Sequence, residues 1–450
     1  MARVKAVFYA INGTGCGHIS RQLNIAREMR ELLHALGLGA DFHVLTTSEA
    51  PQQGWDFPTY KLPSKTVVAE VDTPNEEFAS YSTFLNTNLV ATFRPDILVL
   101  DTMPQGSFGE FQGMRAFARS TAFIRRHTNP VAANHPVYRS HMGLYDLILT
   151  PDDLEEAHRY MTPEEVRDRC VFTGIVHGYR AEEGWSREAV RTHFGVQSHQ
   201  TLMYISAGGG GDKRAESDLT RLIDAASADP LYRGRKRYAS NIVPLTDPDV
   251  RQYFGGLDLA ISAAGYNTYE ELLAAGVPTA FFGQVKGMDC QDERVQIGVK
   301  NGWNRELCEF DPVSIQEEIN ALKRSDIQQA IRSRLQERGT SDGALVSAVE
   351  LLKLHASLKG SSVDISKVYV AAVMRRLWPA IALRIGVVPE QSRAAYVSAV
   401  RLALAWNKAL RTQREQQSLL EDALVAWRTG VIPQYVALLL EMGHRLAELQ

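Results

Sequence analysis

The stretch that decides the fold is residues 258–278, DLAISAAGYNTYEELLAAGVP. It begins with an apolar run that ends at Gly265, as a buried strand of a parallel sheet does. Thr268 predicts the N-cap of a helix, and Glu271, three residues later, has the spacing of a capping box. We expect this helix to cover 268–275 and a further strand to follow it. A strand, a glycine turn and a helix in this order are the repeating unit of an α/β fold.

The same order occurs at two other places in the chain. Residues 4–11 form an apolar run that is followed by a glycine loop and a helical pattern over 19–36, which Gly37 ends. Residues 201–206 precede another glycine loop and another helical pattern. Further strand-like runs occur at 42–46, 96–100, 145–150, 241–245, 257–262 and 278–282. Because strands that alternate with helices form parallel sheets, the sequence predicts an α/β protein with two Rossmann-like domains.

The chain divides into four predicted regions. We expect an N-terminal domain over 1–155, a polar connector over 156–198, a C-terminal domain over 199–355 and a helical extension over 361–450. Within 361–414 the extension carries nine Lys and Arg but two acidic residues. This pattern is typical of a solvated helical cap, or of a surface that docks onto an anionic membrane or an acidic partner.

Composition excludes several classes of protein. The 450 residues include 49 Lys and Arg against 52 Asp and Glu, which is not the basic excess of a dedicated nucleic-acid binder. The four cysteines are far apart and form no Cys-x-x-Cys pair, so neither a disulfide framework nor a zinc site is expected. No apolar stretch reaches the roughly 18–20 residues of a membrane-spanning helix, and the first one, broken by Lys5, is not a signal peptide. We expect a cytoplasmic protein, with peripheral contact to the inner face of the membrane left open.

Two glycine loops are suited to binding an anion. The first is NGTGCGH at 12–18. It departs from the dinucleotide fingerprint G-x-G-x-x-G because position 18, where the last glycine is required, is His18. The second, SAGGGGD at 206–212, has no Gly-Lys-Ser/Thr and is not a P-loop. Backbone N–H groups of such loops, together with a helix N-terminus, bind phosphate. A flexible surface linker is the alternative interpretation of the second loop.

His18 is the candidate general base. It stands at the start of a helix, after the first strand, where ligand crevices of α/β sheets form. An imidazole titrates near neutral pH and can take a proton from a hydroxyl group there. The alternative is a helix-start histidine that only bonds to nearby backbone.

Together the three loops resemble those of the GT-B nucleotide-sugar glycosyltransferases. The resemblance is to the lipid-II-forming peptidoglycan N-acetylglucosaminyltransferases and to the UDP-glycosyltransferases, and it covers roughly residues 3–345. In these families a glycine-histidine loop opens the first domain, a glycine-rich loop opens the second, and a helix start with Thr and Glu precedes Ala-Gly-x-Pro. The sequence matches these features at 13–18, 206–211 and 265–278, with one extra residue in the first loop.

The resemblance implies an inverting transfer of a sugar from a UDP- or dTDP-sugar to an acceptor hydroxyl. It implies His18 as the base, Asp101 as the carboxylate that orients it, and Glu271 as the group that binds the ribose. The alternative interpretation of Asp101 is a simple turn residue. The alternative interpretation of Glu271 is its place in the capping box. No metal or other cofactor is expected, since the donor is a co-substrate. The predicted donor-binding residues are Gly15, Gly17, Ser206, Gly208, Gly209, Gly210, Gly265, Asn267, Thr268, Glu271, Asp289, Gln291 and Asp292.

The acceptor is less well specified. Its candidate contacts are the aromatic residues Phe78, Tyr81 and Phe84 and the basic stretch 125–127, although aromatic residues at that spacing also pack helices. A lipid-linked acceptor and a small soluble one both fit. Two other activities stay open: a nucleotide-sugar hydrolase or 2-epimerase of the same fold, and a non-catalytic scaffold that binds a nucleotide sugar.

Overall fold

The computed structural model describes most of residues 2–410. Residues 12–16, 50–55, 127–129, 153–161, 209–212, 228–242, 244, 246, 248, 285–288, 340, 385–388 and 411–450 lie outside the described part. Within the described part, every helix is too short or too polar to cross a lipid bilayer.

The first sheet contains seven parallel strands. They are β1 (Arg3–Ala10), β2 (Gly39–Thr46), β3 (Thr59–Lys61), β4 (Ile97–Asp101), β5 (Ser120–Ile124), β6 (Leu147–Thr150) and β7 (Cys170–Phe172). Their order across the sheet is β3-β2-β1-β4-β5-β6-β7. From the β1–β4 pair, the chain thus adds β2 and β3 toward one edge of the sheet and β5, β6 and β7 toward the other. In such a sheet the loops after these two strands diverge and leave a crevice at their carboxyl ends.

In the described residues, six α-helices follow or connect these strands. They are α1 (Gly17–Ala35), α2 (Lys65–Glu70), α3 (Asn75–Phe93), α4 (Phe111–Arg115), α5 (Pro130–Ala133) and α6 (Pro136–Met142). The apolar face of α1 is buried against the sheet through residues such as Leu23 and Met29. The left-handed Gly37, with φ of 73°, follows this helix, as the sequence predicted.

The second sheet is smaller and also parallel. Its strands are β8 (Met203–Ser206), β9 (Leu259–Ala263), β10 (Thr279–Phe282) and β11 (Arg305–Glu306), in the order β8-β9-β10-β11. Its helices are α7 (Arg187–His193), α8 (Lys213–Ser227), α9 (Tyr266–Ala274), α10 (Gln291–Asn301), α11 (Pro312–Lys323) and α12 (Ser325–Arg338). The two parallel sheets confirm the predicted α/β class. The strand predicted at 241–245 lies largely outside the described residues.

The domain boundaries stay predictions, but two elements show how the chain crosses between the sheets. Strand β7, inside the predicted connector, extends the first sheet beside β6. Helix α13 (Gly343–Ala356), at the end of the predicted C-terminal domain, packs on α1 of the first domain. The chain thus returns to the first domain after completing the second sheet.

The helical extension continues this return. Its described helices are α14 (Ile365–Arg384) and α15 (Pro389–Leu410). Val368, Trp378 and Tyr396 are buried in the same hydrophobic cluster as β1 and α1. Packing thus places the apolar side chains of the described helices in the core of the first domain, while side chains such as Arg393 and Arg401 stay exposed. The interpretation of the region as a solvated helical cap stays a prediction.

The basic side chains of these helices also have partners within the chain. Arg375 bonds to Glu28 and Glu183, and Arg376 forms an ion pair with Asp342. Further ion pairs join Lys367 to Asp364 and Arg393 to Glu31, and Arg401 donates to the carbonyl oxygen of His34. Arg375 is thus neutralised inside the protein, whereas Lys367 and Arg393 form ion pairs at the surface.

Candidate active site

The crevice of the first sheet contains the two predicted catalytic residues. His18 lies in the first turn of α1, directly after the loop that follows β1, and its side chain is 21% exposed. Asp101 is the last residue of β4 and is fully buried. The strand order brings them together although they are 83 positions apart, since β1 and β4 are neighbours. The predicted pairing of these residues at one site therefore has a topological cause.

Two residues that the sequence analysis did not predict complete this cluster. Arg21 donates from its NH1 to both carboxylate oxygens of Asp101, at 3.0 and 2.8 Å. The Thr102 hydroxyl donates to Asp101 Oδ1 at 2.6 Å and lies 3.0 Å from His18 Nδ1. His18 Nδ1 and Asp101 Oδ1 are 3.5 Å apart. Arg21 stands three positions after His18, the spacing of one helix face, which is the signal that could have identified it.

Burial favours the neutral form of His18. Burial lowers the pKa of His18 below its usual 6.5; Asp101 opposes this shift, whereas Arg126 and Arg21 add to it. Burial alone would raise the pKa of Asp101, but Arg21 and His18 lower it to about 2. At neutral pH the site therefore combines an ionised carboxylate with an uncharged imidazole, the form that can accept a proton.

The start of α9 carries the predicted donor residues of the second domain. Gly265 is the N-cap of this helix and no side chain caps it, so the predicted capping box of Thr268 and Glu271 is wrong. The helix begins two residues earlier than expected, because Gly265 rather than Thr268 takes the extended cap conformation. The side-chain amide of Asn267 donates to the carbonyl oxygen of Gly17 at 3.0 Å. The N-termini of α9 and α1 thus meet between the two sheets, where both helix dipoles favour a negative charge.

Glu271 lies one turn further along α9 and is 7% exposed. The backbone N–H of Gly178 donates to its Oε1 at 3.2 Å, and NH1 of Arg251 is 3.7 Å from the same oxygen. Burial raises the pKa of Glu271 to about 7, and Arg251 opposes this rise. The carboxylate predicted to bind ribose is therefore one that changes its charge near neutral pH and contacts the segment joining the two sheets.

Replacing Glu271 by glutamine should make stability less dependent on pH. The folded state keeps the Glu271 proton to about pH 7, and the unfolded chain keeps it only to about pH 4.5. The free energy of unfolding of wild type therefore decreases by about 3 kcal/mol as pH rises through this interval. Glu271→Gln should avoid that loss, and urea unfolding at pH 5 and pH 8 measures it. The exposed Glu188→Gln serves as the control. Identical pH dependence of wild type and Glu271→Gln would contradict the raised pKa.

The predicted sugar-contacting residues surround the start of α10. Asp289 accepts from Arg126 of the first domain at 3.0 Å and from Arg294 of the second at 2.9 Å. These two arginines hold the pKa of Asp289 well below its usual range, against the effect of burial. Gln291 is buried and donates to Asp289 at 3.2 Å, whereas Asp292 is exposed. Asp289 thus forms an ion pair across the cleft, and Asp292 does not share its environment.

The glycine loops are described in part. Ser206 is the last residue of β8, and its hydroxyl accepts from the backbone N–H of Gly208 at 3.2 Å. Gly208 has φ of 90°, a conformation that favours glycine. Gly17 is the first residue of α1. Gly15, Gly209 and Gly210 lie outside the described residues.

The structure separates the proposed acceptor contacts. Phe78 on α3 is 7% exposed and packs edge-on against Phe108, as a helix-packing residue does. Tyr81 and Phe84 on the same helix are 56% and 66% exposed. The side chain of Arg125 is buried and donates to Thr162; His127 lies outside the described residues. Of the aromatic set, only Tyr81 and Phe84 present their rings to solvent.

The sequence contains an Asp-x-Asp triplet at 247–249, a pattern that can bind a metal-diphosphate. Asp249 accepts from Arg251 through both oxygens at 2.6 Å, and Asp247 accepts from the hydroxyl of Tyr253 at 2.9 Å. Both carboxylates are thus engaged by neighbouring side chains. Among the described residues, no three His, Cys, Asp or Glu side chains lie close enough together to hold a metal ion.

Comparison with known proteins identifies the architecture. No family model and no curated protein matches the sequence. Among solved structures, a UDP-glucosyltransferase from Polygonum tinctorium is similar at a TM-score of 0.54 and 13% identity, over 80% of this chain and all of the other. A putative UDP-N-acetylglucosamine 2-epimerase from Listeria monocytogenes is similar at 0.52 and 13%, over 78% of this chain and 96% of its own.

Acinetobacter baumannii MurG is similar at a TM-score of 0.50 and 15% identity, over 78% of this chain and 99% of its own. These neighbours, like the glycosyltransferase SpnP at 0.52, share two Rossmann-like domains. At such identities the likeness establishes the fold and leaves the reaction to be argued from the site. The chain has the GT-B fold, as the sequence resemblance predicted.

Proposed function

We propose that this protein is an inverting glycosyltransferase that moves a sugar from a UDP- or dTDP-sugar to an acceptor hydroxyl, with His18 as the general base. The observation that carries the proposal is the meeting of the two helix N-termini through Asn267 and Gly17. It places a neutral, partly exposed imidazole beside the helix start whose residues match the donor-binding motif. Base and donor would thus lie on opposite sides of one cleft.

In the proposed reaction His18 Nε2 takes the proton of the acceptor hydroxyl. The oxygen then attacks the anomeric carbon of the sugar from the face opposite the leaving group. The bond to the nucleoside diphosphate breaks, and that group leaves with the electron pair. The N-terminus of α9 would stabilise the negative charge on the leaving phosphate without a metal ion.

A donor panel tests this proposal. Purified protein is incubated with UDP- and dTDP-sugars, with and without a set of hydroxyl acceptors, beside His18→Ala and Glu271→Gln. A glycoside of inverted anomeric configuration that forms only with acceptor present would support transfer. Donor consumption without acceptor, giving free sugar or its 2-epimer, would favour the hydrolase or epimerase. Donor binding without turnover, unchanged in His18→Ala, would favour the scaffold.

The pH profile gives an independent prediction. Because burial lowers the pKa of His18 below its usual value, kcat at saturating donor should approach its maximum by neutral pH and decrease toward acidic pH. Saturating donor separates this titration from that of Glu271, which should act on donor KM. Initial rates across pH 5–8 give both profiles. A kcat that still rises above pH 7 would contradict a neutral imidazole at the base position.

A further inference from the structure

Asp101 cannot orient His18 directly in this geometry. The 3.5 Å between His18 Nδ1 and Asp101 Oδ1 exceeds the 2.7–3.2 Å of an N–H···O hydrogen bond. Oδ1 already accepts from Thr102 and Arg21, and Oδ2 also accepts from Arg21. Oδ1, the carboxylate oxygen that the structure pairs with His18, thus already accepts two hydrogen bonds. The atom within bonding distance of the imidazole is Thr102 Oγ1, at 3.0 Å.

The chemistry of the three groups sets the direction of these bonds. An ionised carboxylate only accepts, so the single proton of the Thr102 hydroxyl is directed to Asp101. Thr102 Oγ1 can then offer His18 only a lone pair, which requires a proton on Nδ1. The neutral imidazole consequently carries its lone pair on Nε2, the nitrogen that faces away from this cluster. The proton position is assigned from this chain of bonds.

The backbone of Thr102 is held in an unusual conformation. Its φ is 69°, which a β-branched residue rarely adopts because the side chain crowds the backbone. Its N–H donates to the carbonyl oxygen of Ile124 on β5 at 3.0 Å, and the residue is 3% exposed. Such outliers concentrate at functional sites, where the surrounding structure holds them. Here the conformation directs the hydroxyl between Asp101 and His18.

We propose that Thr102 is the positioning residue for His18. Its hydroxyl donates a hydrogen bond to Asp101, accepts one from the imidazole, and so fixes the tautomer with the proton on Nδ1. The catalytic consequence of this positioning rests on the proposed function. When the acceptor proton reaches Nε2, the Nδ1 proton stays on the imidazole and the hydroxyl proton stays on Thr102. The charged groups around the imidazolium are Asp101, Arg21 and Arg126. Of these, only Asp101 is negative, and Thr102 links this carboxylate to the imidazolium through hydrogen bonds.

The experiment compares Thr102→Val, Thr102→Ser and wild type. Valine keeps the β-branched shape without the hydroxyl, and serine keeps the hydroxyl. Histidine ¹⁵N NMR, assigned with His18→Gln, reports which ring nitrogen carries the proton and needs no substrate. We expect protonated Nδ1 in wild type and Thr102→Ser, and a mixture of tautomers in Thr102→Val.

In the transferase assay, Thr102→Val should lower kcat about 10- to 100-fold at unchanged donor KM, and Thr102→Ser should stay within about threefold of wild type. Thr102→Gly, in which glycine adopts the positive φ freely, is the second hydroxyl-free variant if valine prevents folding. Protonated Nε2 in wild-type His18, or an unchanged tautomer in both hydroxyl-free variants, would overturn the proposal. Failure of every donor to react would refute the proposed function, while the NMR result would still decide the role of Thr102.

Discussion

His18→Ala should lower kcat for glycosyl transfer by about 10²–10⁴-fold, the range that a positioned general base contributes. Without the imidazole, the acceptor hydroxyl must lose its proton to water during the attack. Donor affinity should stay within about twofold, because the proposed donor contacts lie on α9 and in the loop after β8. Single-turnover rates measure the first effect, and calorimetric titration with UDP measures the second.

The exposed His199→Ala is the matched control and should behave as wild type. A His18→Ala protein with wild-type kcat would remove the basis of the proposed mechanism. A variant that loses kcat and donor affinity together would instead assign His18 to donor binding. The separation of kcat from affinity is therefore the decisive result.

Glu28→Gln should destabilise the protein by about 3 kcal/mol at pH 7. Glu28 on α1 is 4% exposed and accepts from Arg180 at 2.9 and 2.5 Å and from Arg375 at 3.1 Å. Burial would raise its pKa, but the two arginines lower it from 4.5 to about 2. A carboxyl with a depressed pKa stabilises the fold above its unfolded pKa, and the effect is lost as pH falls from 4.5 to 2.

The shift of about 2.5 pKa units corresponds to about 3 kcal/mol. This agrees with the ~3–5 kcal/mol that loss of one partner of a buried ion pair costs. Urea unfolding of wild type and Glu28→Gln at pH 7 and pH 3 measures the difference, which should shrink at the lower pH. The exposed Glu188→Gln should show no such change. A destabilisation independent of pH would indicate a packing effect instead.

The sequence predicted those strands that are short apolar runs followed by a glycine or polar turn, and it missed β3, β5, β7 and β11. The runs at 4–11, 96–100 and 257–262 correspond to β1, β4 and β9 within one or two residues. Buried parallel strands impose this pattern directly, since both faces of the sheet are covered. The pairing of His18 with Asp101 was implied by the family resemblance, and the neighbouring positions of β1 and β4 bring the two residues together.

Other features depended on contacts that no local pattern encodes. The start of α9 was misplaced because Thr268 fits an N-cap in isolation, whereas the observed cap is Gly265. The burial of Arg375 in the extension could not be predicted locally, because Arg375 bonds to Glu28, a residue 347 positions away. Thr102 was missed because nothing in its sequence neighbourhood indicates a positive φ.

The return of the chain to its first domain affects how this protein could be recombined with others. Helices α13, α14 and α15 share one hydrophobic cluster with β1 and α1. Arg375 of α14 also bonds to Glu183 of the segment between the two sheets. A chimera that exchanges the donor-binding half for that of another protein should therefore end the exchange before Gly343. The described helices α13, α14 and α15 belong, by packing, with the half that carries His18.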